Sequence, residues 1–103
     1  VDRDFTFTPE AENDLLQIWE YIATDDSPEA ADRVIARIYD ECQALSEMPG
    51  KGHARLELLD ERHRFWSVWS YLLAYRWQTK PLQIIAVVHG ARELDAFFSS
   101  RPA

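Results

Sequence analysis

The chain has a single cysteine, Cys42, so no internal disulfide framework holds it together. Its three glycines and five prolines exclude a collagen-like polymer or a Gly/Pro-rich disordered chain. No hydrophobic run approaches the roughly 20 residues that a membrane span needs. The longest, Leu82 to His89, has the length of a strand and contains Gln83. The opening residues Val1-Asp2-Arg3-Asp4 lack the apolar core of a secretory leader. With one cysteine, that predicts a cytoplasmic protein with no membrane association. His53, His63 and His89 lie far apart, with no cysteine or carboxylate at ligand spacing, so no metal site is expected. Gly50, Gly52 and Gly90 form no phosphate-cradling pattern, and no other cofactor is expected.

What is present is the material of one small core. In 103 residues, 47% are hydrophobic and 13% aromatic, four of them Trp, which argues for a single domain over residues 1–103 and against disorder. The net charge of −7 is unevenly spread. Residues 1–49 carry 3 basic and 13 acidic side chains, whereas residues 50–103 carry 8 and 5. An acidic protein repels a phosphate backbone unless positive charge is focused locally. Direct nucleic-acid binding is therefore disfavoured for the first half. The acidic residues of that half read as solvated helix faces.

Period-2 alternation in Asp4-Phe5-Thr6-Phe7-Thr8 predicts a short strand. Thr8-Pro9-Glu10 is then a helix start, with a hydroxyl cap, a proline suited to the first turn and acids near the positive helix end. Ala11, Leu15, Ile18, Trp19 and Ile22 form its apolar stripe. The same logic recurs in Ser27-Pro28-Glu29, followed by Ala31, Val34, Ile35, Ile38, Cys42 and Leu45, until Pro49-Gly50 stops the second helix. Two such helices with a short connection predict an antiparallel hairpin. Leu15, Ile18, Ile22, Val34, Ile38 and Leu45 are its expected buried residues.

After a loop over residues 49–61, three strand-like segments follow: Arg62 to Val68, Tyr71 to Trp77 and Leu82 to His89. Residues 91–98 read as a short helix or turn, and residues 99–103 as a frayed tail. The order β-α-α-β-β-β with a short C-terminal helix predicts an α+β domain, its helix hairpin packed on a mainly antiparallel sheet. Strand parity places Tyr71, Leu73, Tyr75 and Trp77 on one face, the bulkier one, which is expected to meet the helices.

Cys42 lies on a helix stripe and reads as a buried small hydrophobe. Arg55, Arg62, His63, Arg64, Arg76, His89 and Arg92 are of the types that metal-free RNA cleavage would need, and equally of the types that pair with acids on solvent-facing strands. The aromatic surplus of Phe65, Trp66, Trp69, Trp77, Phe97 and Phe98 suits either a partner surface or closure of the sheet and hairpin ends.

Several strings carry a family resemblance. Thr8-Pro9-Glu10-Ala11-Glu12-Asn13-Asp14-Leu15, then Ile18-Trp19-Glu20-Tyr21-Ile22, Ser27 to Arg33, Met48-Pro49, Gly52-His53-Ala54-Arg55-Leu56-Glu57-Leu58, Tyr71-Leu72-Leu73-Ala74-Tyr75-Arg76 and Val87-Val88-His89-Gly90-Ala91-Arg92-Glu93-Leu94 occur in order along nearly the whole chain. Together they resemble the RelE/ParE toxin superfamily of bacterial type II toxin–antitoxin systems, in particular its ParE-like branch. In the superfamily's ribonuclease branch, an Arg directly after the first Tyr of the third strand and a Tyr in the C-terminal segment serve ribosome-dependent messenger cleavage. Here those places hold Leu72 and the pair Phe97 and Phe98. Arg92 is kept, with His63 and Arg64 as loose substitutes on the second strand.

The resemblance therefore implies a ParE-like toxin that poisons DNA gyrase and is not itself an enzyme, with no catalytic residues to carry over. The alternatives are a RelE-like ribosome-dependent mRNA endonuclease and a non-toxic binding domain of the same fold. It also implies a cognate ParD-like antitoxin that wraps the toxin in a hetero-oligomer and regulates growth. Trp66, Trp69, Arg64, Arg76, His89 and Arg92 are the candidate residues for binding antitoxin or target.

Overall fold

A computed structural model describes residues 4–102; the opening Val1-Asp2-Arg3 segment and the terminal Ala103 lie outside the described residues. Strand β1 (Phe5–Phe7) leads into helix α1 (Pro9–Asp25) and helix α2 (Pro28–Glu47). The Thr8 hydroxyl accepts the Ala11 N–H at 3.1 Å, and the Ser27 hydroxyl accepts that of Ala30 at 3.1 Å. Each cap satisfies an N–H that the helix itself leaves unpaired, and each is followed by proline at the first helical position. A 3₁₀ turn at Pro49–Lys51 ends the hairpin. Strands β2 (His63–Val68), β3 (Tyr71–Arg76) and β4 (Leu82–His89) and the short helix α3 (Leu94–Ser99) follow.

The four strands form one sheet in the order β1-β4-β3-β2. The β2–β3 and β3–β4 pairs are antiparallel, while β1 returns beside β4 in parallel. The result is the α+β architecture that the sequence predicts.

The helix hairpin covers one face. Leu73 and Tyr75 are buried there with Leu15, Ile38, Cys42 and Leu45, and Tyr71 and Trp77 pack at the margin, as strand parity requires. Burial declines along the hairpin. Leu15, Ile38 and Leu45 are buried, but Ile18, Ile22 and Val34 are only half-buried, contrary to expectation. Helix α2, about 30 Å long, exceeds β2 and β3 at about 20 Å each, so the hairpin extends past these two strands.

The opposite face is also covered. Phe65, Leu72, Ala74, Ile85, Ala86 and Val88 bury Phe98 of α3, with Leu58 and Leu59 of the preceding loop packed alongside. A register shift makes this layer. Ala74 pairs with Ala86 but Tyr75 with Ile84, so Ile85 is an extra residue, and Ile85 and Ala86 both join this face.

Two expectations are corrected here. Asp14 is not one of the solvated acids: it is 9% exposed. Its carboxylate accepts the Val87 N–H at 3.0 Å and pairs with Arg101 at 2.9 Å. Arg101 also donates to the Ile85 carbonyl at 3.4 Å, so the tail through this residue is pinned rather than frayed.

Candidate interaction surface

The six candidate residues do not converge on one site. His63 pairs with Arg76 at one end of the β2–β3 ladder, and Tyr71 pairs with Val68 and His89 at the other. Five residue steps of strand separate Arg76 from Tyr71, about 17 Å. Alternation adds a second separation. Arg64 and Trp66 lie on the helix-covered face, whereas Arg76 shares a face with Leu72 and Ala74.

The first cluster follows the β2 edge and the outer side of α2. The Trp66 indole N–H donates to Glu41 at 2.7 Å, while Lys51 lies over its ring at 4.6 Å and His53 stacks against it at 6.2 Å. Arg37 pairs with the same Glu41 at 3.5 Å and lies 5.6 Å from the Trp69 ring. The two tryptophans are thus linked through one Arg–Glu pair on α2. Trp69 stands out at 63% exposed, in the β2–β3 turn, with a left-handed φ of 54°. That conformation suits glycine and costs a bulky residue free energy.

Arg64 is committed internally. Its guanidinium donates to the carbonyls of Gly50 and Gly52 at 3.1 and 3.0 Å and stacks 4.2 Å from the Trp77 ring. Tyr75, fully buried, completes this loop anchor by donating to Pro49 at 2.7 Å and accepting the Gly52 N–H at 3.1 Å. A Cβ at Gly52 would collide with the Tyr75 hydroxyl and meet the Phe65 carbonyl at 2.8 Å, so the loop closes here only with glycine.

The second cluster lies at the far end of β4. His89 stands edge-on to Tyr71 at 5.4 Å. Its Nδ1 accepts the Ala91 N–H at 3.0 Å, and its carbonyl accepts the Arg92 N–H at 3.0 Å. Arg92 is exposed and lies 5.2 Å from the Phe97 ring. Beside this turn a cavity of about 410 Å³ opens along α1, its lining including Gln17, Ile18, Tyr21, Tyr71 and Val87. The Tyr71 hydroxyl is held above its ordinary pKa by burial and then by the neighbouring Tyr21.

Sequence reasoning missed Tyr21 as a site residue. The available signal was an aromatic placed off the apolar stripe of its helix, and it is 68% exposed. The remaining basic candidates pair as surface residues do: Arg55 with Glu57 at 3.0 Å and Arg62 with Asp60 at 2.7 Å. The buried His63 faces Asp60 at 3.1 Å. Cys42 is fully buried, and burial pushes its thiol up to about 12, so it is an inert core residue. Among the described residues no group of His, Cys, Asp and Glu is arranged to hold a metal.

The model of the family described as ParE toxin of type II toxin–antitoxin system, parDE, matches residues 5–94. The fold is similar to a solved structure titled as the chromosomal ParDE TA system from P. aeruginosa, with a TM-score of 0.70 and 21% identity over 82% of this chain and 92% of that one. No curated protein is significantly similar in sequence.

Proposed function

The chain belongs to the ParE toxin family of type II toxin–antitoxin systems, and from that premise we propose that it arrests growth by poisoning DNA gyrase in the cytoplasm and is neutralised by a ParD-like antitoxin. In this reading the protein is not an enzyme. It acts by binding, and a hetero-oligomer with the antitoxin is its resting form.

The carrying observation is the burial of Leu72 and Phe98. At the places where the resemblance would put the arginine and tyrosine of the ribonuclease branch, these two side chains are 7% and 3% exposed in one apolar layer. Neither can bind a phosphate or donate a proton, and a polar group could not enter that layer without a desolvation cost. Arg92 and His89 are joined by a turn outside that apolar layer, so the buried places of Leu72 and Phe98 add no polar group to them.

Induced expression in bacteria without the antitoxin tests the proposal. The expected result is growth arrest with a DNA-damage response while messenger stays intact. Rapid messenger loss, abolished by Arg92→Ala, would favour the ribosome-dependent endonuclease. Unchanged growth would favour a non-toxic binding domain.

A further inference from the structure

The cavity between α1 and the His89–Arg92 turn has a composition unlike the rest of this acidic surface. Ile18 and the rings of Tyr21 and Tyr71 give it apolar walls, over a floor that includes Val87. Its one acid, Asp14, is already spent on the Val87 N–H and Arg101. Its other polar side chains, Gln17, Tyr21, Tyr71, His89 and Arg92, can each donate a hydrogen bond. Because His89 Nδ1 accepts the Ala91 N–H, the proton of the neutral ring sits on Nε2. Arg92 adds a guanidinium with no acidic partner among the described residues, and the Tyr21 and Tyr71 hydroxyls complete the lining. The turn is preorganised, since the Gly90 N–H is fixed to Ser70 at 2.8 Å and the Arg92 N–H to His89 at 3.0 Å. A volume of about 410 Å³ lies within the ~300–1,000 Å³ typical of ligand clefts.

We propose that this cleft is a peptide site that reads a carboxylate: an extended segment of a protein partner places an aliphatic side chain against Ile18 and the Tyr71 ring and the adjacent Asp or Glu on Arg92 and the His89 Nε2–H. The proposal deepens the reading above and rests on it for the partner being a neutralising protein. Charge complementarity selects the occupant. One guanidinium and one imidazole match one or two carboxylates. A nucleic-acid strand brings a phosphate at every step and would run onto α1, whose exposed face carries Glu10, Glu12 and Glu20. Arg92 pairs with carboxylate as a planar two-pronged donor, which lysine cannot reproduce.

The test uses the whole chain and a blocked octapeptide, Gly-Ser-Leu-Glu-Ile-Glu-Ser-Gly, followed by amide NMR titration. Saturable shifts centred on Tyr71, His89 and Arg92 are expected. Replacing both peptide Glu by Gln, or making Arg92→Gln, should weaken binding about tenfold or more. Arg33→Gln, an exposed arginine of α2, should leave it unchanged. An unchanged amide spectrum for Arg92→Gln outside the cleft shows that the variant folds. Absence of binding, binding indifferent to the Gln peptide or to Arg92→Gln, or tighter Arg92-dependent binding of a ten-residue oligothymidylate would each overturn the proposal. Growth arrest by the wild-type chain is scored separately. Arrest without peptide binding removes the cleft and keeps the toxin reading; peptide binding without arrest does the reverse.

Discussion

Asp14 and Arg101 stand 87 positions apart in the chain and meet at 2.9 Å, joining the first helix to the tail that follows the last. Both are nearly buried, with side chains 10% and 11% exposed. Asp14 also holds the Val87 N–H, and Arg101 lies 4.5 Å from the Phe97 ring. One ion pair thus secures α3 over the sheet face that hides Leu72 and Phe98.

Breaking that pair from one side should be costly because the other charge stays behind with little water. Arg101→Ala is expected to destabilise the fold by about 3 kcal/mol. Asp14→Asn, which keeps an acceptor for Val87, should cost less. Urea unfolding of both single variants and the double variant gives the coupling directly. Additive losses would show that the pair contributes nothing as a pair.

Core substitutions should follow the decline in burial along the hairpin. Ile38→Ala, at a site with no exposure, is expected to cost about 2–5 kcal/mol. Ile22→Ala, at a half-buried site toward the hairpin turn, should cost less than half as much. Thermal or chemical denaturation decides this, and equal losses would contradict the observed packing.

His63 has no exposed surface, and its Nε2 has no hydrogen-bond partner. Burial holds its pKa below the ordinary histidine value, against the pull of Asp60 and with repulsion from Arg62 and Arg76. A folded-state value below the unfolded one means the unfolded chain takes up the proton first. Stability is therefore full above about pH 6.5 and falls as pH drops below it toward the folded value. Asp60, held far below the carboxylate range by hydrogen bonds from Arg62, acts only at more acid pH, below about 4. Unfolding midpoints between pH 8 and 5 should decline in the native chain and stay flat in His63→Gln. A native profile without that decline would mean that His63 is charged when folded.

Trp69 separates folding from binding. Trp69→Gly relieves a left-handed residue and removes only an exposed ring contact with Arg37, so stability should hold or rise by up to about 1 kcal/mol. Antitoxin affinity, measured by calorimetry, should fall by about 2 kcal/mol if this indole anchors the partner. Unchanged affinity would remove Trp69 from the interface.

The parts of the fold legible in the sequence are those set by local rules. Thr8-Pro9 and Ser27-Pro28 announce both helices because capping involves residues three apart. Side-chain alternation assigns Tyr71, Leu73 and Tyr75 to the helix-covered face because the strand period is 2. What stayed hidden depends on distant partners. Asp14 looks like any helix-surface acid until Arg101 arrives from the far end of the chain. His63 looks like a strand-surface base, yet it is fully buried and faces Asp60 of the loop before it. The cleft is less legible still, since Tyr21 and Arg92 come together only through helix and sheet packing.

As proposed, this ParE-family chain would act on DNA gyrase by binding. The most direct measurement incubates purified protein with gyrase, ATP and supercoiled plasmid, then traps covalent complexes with detergent and protease. Linear plasmid is expected to accumulate with protein concentration and to disappear when the cognate antitoxin is added first. Plasmid that remains uncut, together with codon-periodic messenger cuts on translating ribosomes, would contradict the proposal.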